Sequence, residues 1–235
     1  DLHLSIRRQR QMCIRDSLNT GSPCLMPWVE EAGSILQCWF PGQEFGNSLS
    51  DIIFGKINPS GKLPTTFPKS IEDTPAYATY PGKDLQMDYE EGLYIGYRWY
   101  DKEEIDPLFP FGYGLSYTSF DYSNLRAIPP KGNASVAAFE FEISNTGDVA
   151  GKEVIQGYVN VPDSKIDRPR KELKKFTKVY LEPGQTQKVK FELSERELSF
   201  WNVDLHAWQV EPAEYIFEIG ASANDIRGSA SVWLG

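Results

Sequence analysis

The stretch Phe139-Glu-Phe-Glu-Ile143 alternates between large apolar and charged side chains. Successive side chains of a β-strand point to opposite faces, so this alternation predicts a strand with one buried face. The same period recurs in Val189-Lys-Phe-Glu-Leu193, in Tyr215-Ile-Phe-Glu-Ile219 and between Ile155 and Val161. Several short alternating strands within about a hundred residues predict an all-β, antiparallel immunoglobulin-like sandwich over residues 136–235.

Upstream of the sandwich the pattern changes to that of alternating strands and helices. Ser34–Phe40 is a nearly continuous apolar run, as expected for a buried parallel strand. Short helices are predicted over Pro27–Ala32 and Phe45–Phe54, the second ending at a glycine. Residues 18–118 are therefore predicted to form an α/β layer. A proline-containing linker is predicted over residues 119–135.

The first seventeen residues differ in character from the rest. Residues 1–17 carry four arginines against two aspartates, whereas the whole chain has a net charge of −9. They lack the apolar core of a secretory signal. We interpret residues 1–17 as a non-native or assembly-derived segment, with a basic binding arm as the alternative.

Composition argues against several classes of function. The acidic balance disfavours a nucleic-acid surface, because phosphate backbones are bound by clustered Lys and Arg. No apolar run in the sequence is long enough to cross a bilayer. The three cysteines are odd in number and show no C-x-x-C spacing, and there are only two histidines, so we expect neither a metal site nor a disulfide framework.

One turn is the candidate for sugar binding. Pro41-Gly-Gln-Glu44 follows the predicted strand and precedes a predicted helix. Ligands of open α/β sheets usually bind at this carboxyl edge, where the Gln43 amide and Glu44 carboxylate could contact vicinal hydroxyls. The structural alternative, which we favour, is that Glu44 complements the helix N-terminus and Gln43 satisfies the turn.

Three other groups of residues are weaker candidates. Asp88-Tyr-Glu-Glu91 gathers three carboxylates, but neighbours in sequence rarely converge in space, and we expect Glu91 to pair with Arg98 or another cation instead. Phe109-Pro-Phe-Gly-Tyr-Gly114 is expected to serve packing. Large aromatic residues in a sandwich are usually core, so we favour that role for Trp201, Trp208 and Trp233 over sugar stacking.

Ordered motifs in both regions carry a resemblance to a known family. Those of the first region are Phe40-Pro-Gly-Gln-Glu44, Asn58-Pro-Ser-Gly-Lys-Leu-Pro64, Tyr89-Glu-Glu-Gly-Leu-Tyr-Ile-Gly-Tyr-Arg-Trp-Tyr-Asp101 and Phe109-Pro-Phe-Gly-Tyr-Gly-Leu-Ser-Tyr117. Those of the second are Glu153-Val-Ile-Gln156, Arg168-Pro169, Lys171-Glu-Leu173, Glu197-Leu-Ser-Phe-Trp201 and Ile219-Gly220. Together they resemble the C-terminal part of glycoside hydrolase family 3, of the β-glucosidase or β-xylosidase type. The first region, residues 18–118, resembles an α/β fragment from the end of the family's α/β sandwich domain. The second region resembles its fibronectin type III-like domain.

The resemblance implies a retaining glycosidase of carbohydrate metabolism that needs no cofactor and acts on oligo- or aryl β-glycosides. In that family an aspartate on an N-terminal barrel attacks the sugar, and a glutamate before the Asn19-Thr-Gly-Ser-Pro23 turn protonates the leaving oxygen. Neither residue matches a position of this sequence, so we expect no catalytic residue here and no activity of this chain alone. The alternative is a stand-alone carbohydrate-binding or scaffold module. The sequence does not choose the sugar, the linkage or the cellular compartment, and it leaves a homodimer open.

Overall fold

The computed structural model describes residues 14–84, 86–131 and 135–235, and its regular structure is mostly β-sheet with few helices. The strands are β1 Ile14–Leu18, β2 Ala32–Gln37, β3 Phe120–Ile128, β4 Ala137–Asn145, β5 Gly151–Asn160, β6 Glu172–Leu181, β7 Thr186–Leu193, β8 Phe200–Asn202, β9 Ala207–Gln209, β10 Ala213–Ser222 and β11 Asp225–Leu234. The helices are α1 Phe45–Ile53, α2 Tyr97–Lys102 and α3 Glu195–Leu198, with 3-10 turns at Val29–Glu31 and Ile71–Asp73. We call residues 14–118 the loop-rich part and residues 120–235 the sandwich. None of the helices in the described ranges is long and apolar enough to cross a membrane.

The sandwich consists of two antiparallel sheets that enclose one apolar core. One sheet has the strand order β3-β4-β7 and the other β11-β10-β5-β6. The predicted alternation in β4 is confirmed, because Phe139, Phe141 and Ile143 are buried in the core. Phe217 of β10 stacks on Phe139 across the two sheets, with ring centroids 4.4 Å apart. The alternating apolar residues therefore make the contact between the sheets.

The prediction of a linker over residues 119–135 is wrong for its first half. Residues 120–128 form β3, which pairs with β4 from Phe120 opposite Asn145 to Ile128 opposite Ala138. The register shifts between Ser123 and Arg126, and Asn124 has a left-handed φ of 57°. This irregularity breaks the alternation of side chains between the two faces of the strand, so the sequence of β3 lacks the usual strand pattern. The sandwich therefore begins at residue 120 rather than 136.

The last four residues of the segment 1–17 lie in regular structure. Its last residues, 14–17, continue into Leu18 to form β1, which pairs in parallel with β2. Pairing of strands uses main-chain hydrogen bonds, so it tolerates the polar side chains of β1. Residues 1–13 lie outside the described residues, and the interpretation of their origin stays a prediction.

Elements of the loop-rich part are shorter than predicted. The strand predicted over Ser34–Phe40 is displaced to 32–37, and Trp39 beyond it has a φ of 52°. The helix predicted over Pro27–Ala32 is reduced to the 3-10 turn at Val29–Glu31. Helix α1 matches its prediction to within one residue and is followed by Gly55, whose φ is 71°. The loop-rich part is thus held by few regular elements.

Candidate functional site

The turn between β2 and α1 holds the two residues predicted to bind sugar. Gln43 and Glu44 are both exposed, and Gly42 before them has a φ of 71°. Glu44 is the N-cap residue of α1, and its Oε2 accepts a hydrogen bond from Asn47 Nδ2 at 2.6 Å. Both side chains thus lie in the connection that follows β2, at the start of α1. Their role in binding stays a prediction.

The carboxyl ends of β1 and β2 are joined by contacts between two motifs of the sequence. Gln37 Nε2 donates a hydrogen bond to Thr20 Oγ1 at 3.0 Å. A Cβ at Gly21 would lie 2.5 Å from Phe40 Cζ, so this position accepts only glycine without movement of the ring. The turn after β1 and the turn after β2 therefore form one surface. Among the described residues, Gln37 Oε1 at this edge is buried and has no hydrogen-bond partner.

The acidic segment Asp88–Glu91 does not have the environment of a catalytic pair. Asp88 and Glu90 are exposed to solvent, whereas the general acid of a glycosidase needs a desolvated site. Arg98 was expected to pair with Glu91, but its guanidinium lies 3.5 Å from Glu172 on β6. Nearby, the Tyr94 hydroxyl donates to Asp167. The residues that follow the acidic segment thus contact the sandwich through Tyr94 and Arg98.

The aromatic motif Phe109–Gly114 packs against the sandwich, which confirms the packing role predicted for it. The Gly112 carbonyl accepts a hydrogen bond from Gln156 Nε2 at 3.0 Å, and Phe111 O accepts one from Ala223 N at 2.9 Å. The Phe111 ring contacts Tyr97, with centroids 5.1 Å apart. The loop-rich part therefore lies on the outer face of the sheet that contains β5 and β10.

Two buried ion pairs connect the loop-rich part to the sandwich, and sequence reasoning missed both. Lys62 Nζ lies 3.1 Å from Glu153 Oε1, which also accepts a hydrogen bond from the Tyr122 hydroxyl at 3.1 Å. Burial, together with the Glu153 charge, raises the pKa of Tyr122. Lys171 Nζ lies 2.7 Å from Asp101 Oδ1. All four charged residues lie in the quoted motifs, but nothing local in the sequence reveals partners so distant along the chain.

The expectation that three tryptophans belong to the core is wrong. Trp201, Trp208 and Trp233 are 45%, 46% and 68% exposed. Trp201 and Trp208 lie on the small β8–β9 hairpin, which is separate from both sheets of the sandwich. The core is filled by the alternating residues of the long strands, so these indoles remain at the surface.

The loop-rich part and the sandwich each match a known domain family. Residues 16–117 match the glycosyl hydrolase family 3 C-terminal domain, and residues 153–223 match a fibronectin type III-like domain. Among curated proteins, the thermostable beta-glucosidase B of Acetivibrio thermocellus is 44% identical over 216 residues, which are 92% of this chain and 29% of the relative. Beta-glucosidase BoGH3A of Bacteroides ovatus is 41% identical over 220 residues, 90% of this chain and 29% of the relative. The chain thus spans less than a third of the length of these relatives.

Solved structures show the same relation. Beta-glucosidase 3B of Thermotoga neapolitana, in complex with glucose, superposes with a TM-score of 0.88 and 39% identity over 99% of this chain and 32% of its own. DesR, a beta-glucosidase of Streptomyces venezuelae in complex with D-glucose, superposes with a TM-score of 0.91 and 36% identity over 99% of this chain and 30% of its own. The similarity therefore includes the arrangement of both parts.

Proposed function

The chain belongs to glycoside hydrolase family 3, and we propose that it is the C-terminal, non-catalytic portion of a retaining β-glucosidase. The observation that carries this proposal is the uncovered apolar surface of the loop-rich part. Phe40 and Phe54 are 82% and 78% exposed, and helix α1 has no buried residue. An apolar patch of this kind on a protein indicates a surface that packs against something else.

We propose that this surface packs against preceding segments of an intact enzyme. Within the described residues, the sheet of β1 and β2 has two strands, and two strands with a single helix rarely bury enough apolar area to be stable alone. In the matched relatives, about two thirds of the chain or more lies outside the part that resembles this one. On this proposal the loop-rich part is the end of an α/β sandwich domain, whose remaining layers would cover α1 and Phe40.

Within that assembly, Gln43 and Glu44 would face the substrate. Both side chains are exposed at the carboxyl end of β2, the edge where α/β sheets bind ligands. A carboxylate and an amide can together accept and donate hydrogen bonds to neighbouring sugar hydroxyls. We therefore propose a supporting role in sugar binding for these two residues and no role in bond cleavage.

Bond cleavage would require carboxylates that no motif of this chain supplies. A retaining glycosidase uses a nucleophilic carboxylate and an acid/base carboxyl about 5 Å apart. We expect the purified chain to leave aryl β-glucosides and β-xylosides intact, measured as release of the aryl alcohol. Turnover that disappears in Glu44→Gln or Glu91→Gln would contradict this expectation, because it would place a catalytic carboxylate in the chain.

A complementation experiment tests the proposed assembly directly. The chain is co-expressed with the Acetivibrio thermocellus relative from which the matched C-terminal region has been deleted. We expect hydrolysis of an aryl β-glucoside to be restored, and Phe54→Glu to abolish the restoration by placing a charge in the interface. Gly184→Ala, an open turn position on the sandwich, is the control and should leave it unchanged.

The same surface allows a different outcome. If a second copy of the chain covers it, sedimentation will show a dimer that Phe54→Glu dissociates, and complementation will fail. Such a result would replace the proposed assembly with a homodimer.

A further inference from the structure

The β8–β9 hairpin presents an aromatic pair that does not belong to the core. Trp201 and Trp208 lie directly opposite each other across the two strands, with ring centroids 5.4 Å apart and an interplanar angle of 63°. The hairpin is braced by Asn202, whose Nδ2 donates to Gln209 Oε1 at 2.8 Å. Two half-exposed indoles on a braced hairpin are a preformed contact surface, because aromatic rings held in this way lose little entropy on binding.

Helix α3 supplies a polar wall beside Trp208. The guanidinium carbon of Arg196 lies 3.1 Å from the centroid of the Trp208 ring, which fixes both groups by a cation–π contact. Ser199 Oγ donates to Glu195 O at 2.6 Å and holds the end of the helix. With Ser194, these residues line a pocket of about 310 Å³. This volume lies at the lower end of the range of about 300–1,000 Å³ for small-molecule sites.

The chemistry of this pocket selects a ligand with both an apolar side and a hydroxyl-bearing edge. Arg196 covers one face of the Trp208 ring, so the surface left for polarised C–H bonds is the remaining exposed part of this indole together with Trp201 beside it. Glu195, Arg196 and Ser199 can accept and donate hydrogen bonds at its edge. A β-glucopyranosyl unit has all its ring substituents equatorial, so its C–H bonds line both faces and its hydroxyls lie around the edge. We propose that the pocket between α3 and the β8–β9 hairpin is a binding subsite for a glucosyl unit of a β-glucan or β-gluco-oligosaccharide.

Charge narrows the choice of ligand further. The pocket contains one carboxylate, Glu195, and one guanidinium, Arg196, so the two formal charges cancel. The pocket therefore carries no net charge that would favour an anionic or a cationic ligand, and a neutral sugar fits this balance. Trp201 lies next to the pocket and extends the contact surface for a second sugar unit. The inference uses only residues of the sandwich and does not depend on the role proposed for the loop-rich part.

The test is a titration of the full chain with cellotetraose, followed by tryptophan fluorescence and by amide shifts in NMR spectra. We expect saturable binding in the millimolar range, with shifts concentrated on residues 194–209. Trp208→Ala should weaken binding by roughly tenfold, the loss expected for one aromatic contact of about 1.4 kcal/mol. Trp233→Ala is the matched control, since it removes an exposed indole outside the pocket and should leave the affinity unchanged.

Milder variants keep the test decisive if Trp208→Ala does not fold. Glu195→Gln removes the charge of an exposed side chain, and we expect it to weaken cellotetraose binding severalfold while the melting temperature stays unchanged. A galacto-configured tetrasaccharide, whose axial hydroxyl interrupts the apolar face, should bind more weakly than cellotetraose. The proposal is overturned if cellotetraose causes no saturable change in the fluorescence or NMR spectra of the wild-type chain, or if Trp233→Ala abolishes that change. It is also overturned if Glu195→Gln binds cellotetraose as tightly as wild type does and wild type binds the galacto-configured sugar as tightly as cellotetraose.

Discussion

The loop-rich part and the sandwich are similar in length but differ greatly in how much apolar surface they bury. Of the described residues, three buried hydrophobic side chains, Met26, Phe67 and Tyr100, belong to the loop-rich part, and 23 belong to the sandwich. The sandwich therefore has its own core, whereas the loop-rich part depends on surfaces that it contacts. The difference shows that sequence motifs and an independent hydrophobic core need not occur in the same region of a chain.

The loop-rich part is itself uneven in this respect. Its later residues lie on the sandwich, where Tyr97 contacts Tyr158 with ring centroids 5.9 Å apart and Asn58 Nδ2 donates to Ala150 O at 3.1 Å. Its earlier residues include the two most exposed phenylalanines, Phe40 and Phe54. Stability of the loop-rich part should therefore decrease with distance from the sandwich.

The largest expected effect comes from opening the sandwich core. Phe217→Ala removes a ring that is 1% exposed and stacked on Phe139, and it should lower the free energy of unfolding by about 3–5 kcal/mol. The matched variant Phe54→Ala removes a ring that is 78% exposed and should cost less than about 0.5 kcal/mol. Urea unfolding followed by far-UV circular dichroism measures both. Equal losses of unfolding free energy in the two variants would contradict the difference in buried apolar surface between the sandwich and the loop-rich part.

The next effect tests how the loop-rich part is attached. Lys171 is 6% exposed and its Nζ lies 2.7 Å from Asp101 Oδ1, so Lys171→Ala leaves a buried carboxylate without its partner. We expect a loss of about 3 kcal/mol in the free energy of unfolding. The double variant Lys171→Met with Asp101→Leu should recover most of that loss, because it removes both charges. If the double variant is as unstable as Lys171→Ala, the ion pair is not what stabilises the attachment.

Two glycines with similar backbone angles differ in what surrounds them. Gly112 has a φ of +80° and a Cβ there would lie 2.0 Å from Gln156 Oε1, whereas Gly184 has a φ of +74° and open space around it. Gly184→Ala should cost about 1 kcal/mol for the left-handed backbone alone. Gly112→Ala should cost about 2 kcal/mol more, because it also displaces a buried hydrogen bond. Similar melting temperatures for the two variants would contradict close packing of Gly112 against Gln156.

The smallest effect depends on pH and lies within the sandwich. Glu211 is 8% exposed and accepts hydrogen bonds from Ser164 Oγ and Lys165 N, both at 2.7 Å. Burial raises the pKa of Glu211, but these hydrogen bonds outweigh it and lower the pKa below the ordinary 4.5. A lowered pKa in the folded state stabilises the protein above the ordinary pKa, and the gain is lost as the pH falls through the folded pKa.

Glu211→Gln should therefore destabilise the chain by about 1 kcal/mol near pH 7. The difference from wild type should shrink as the pH is lowered from about 5 towards 3, where the wild-type carboxyl also becomes neutral. Thermal unfolding across this range measures it. The exposed glutamate variant Glu214→Gln is the control and should show little difference at either pH. A difference that grows on acidification would have the wrong sign for a lowered pKa.

The fold could be predicted from the sequence where the signal is local. The alternation in β4, β7 and β10 gives the buried face of each strand directly, because side-chain direction follows from strand geometry. The irregular register of β3 removed that signal, and residues 14–17 were not recognised as strand because the pairing of β1 lies in the main chain. Both β3 and β1 are strands because of their hydrogen bonds to a neighbouring strand, and their own sequences lack a regular alternation of apolar and polar residues.

The candidate sites show the same limit. The position of Gln43 and Glu44 follows from a turn between a strand and a helix, and this much could be predicted. The pairs that join the two parts, Lys62 with Glu153 and Asp101 with Lys171, connect residues far apart in the chain and carry no local signal. The exposure of Trp201 and Trp208 could not be predicted either, because composition does not reveal which aromatic residues the core leaves out.

The hydrogen bonds of the Gln156 amide limit where segments can be exchanged between this chain and its relatives. Gln156 is 3% exposed, donates to Gly112 O and Ala221 O at 3.0 and 2.8 Å, and accepts from the Tyr158 hydroxyl at 2.6 Å. One side chain thus binds segments from both sides of the boundary between the matched domains. A chimera that exchanges only residues 153–223 would separate these groups, whereas a crossover upstream of residue 58 would transfer them together. The part of the chain that has to be exchanged as one piece is therefore larger than the fibronectin type III-like domain matched at residues 153–223.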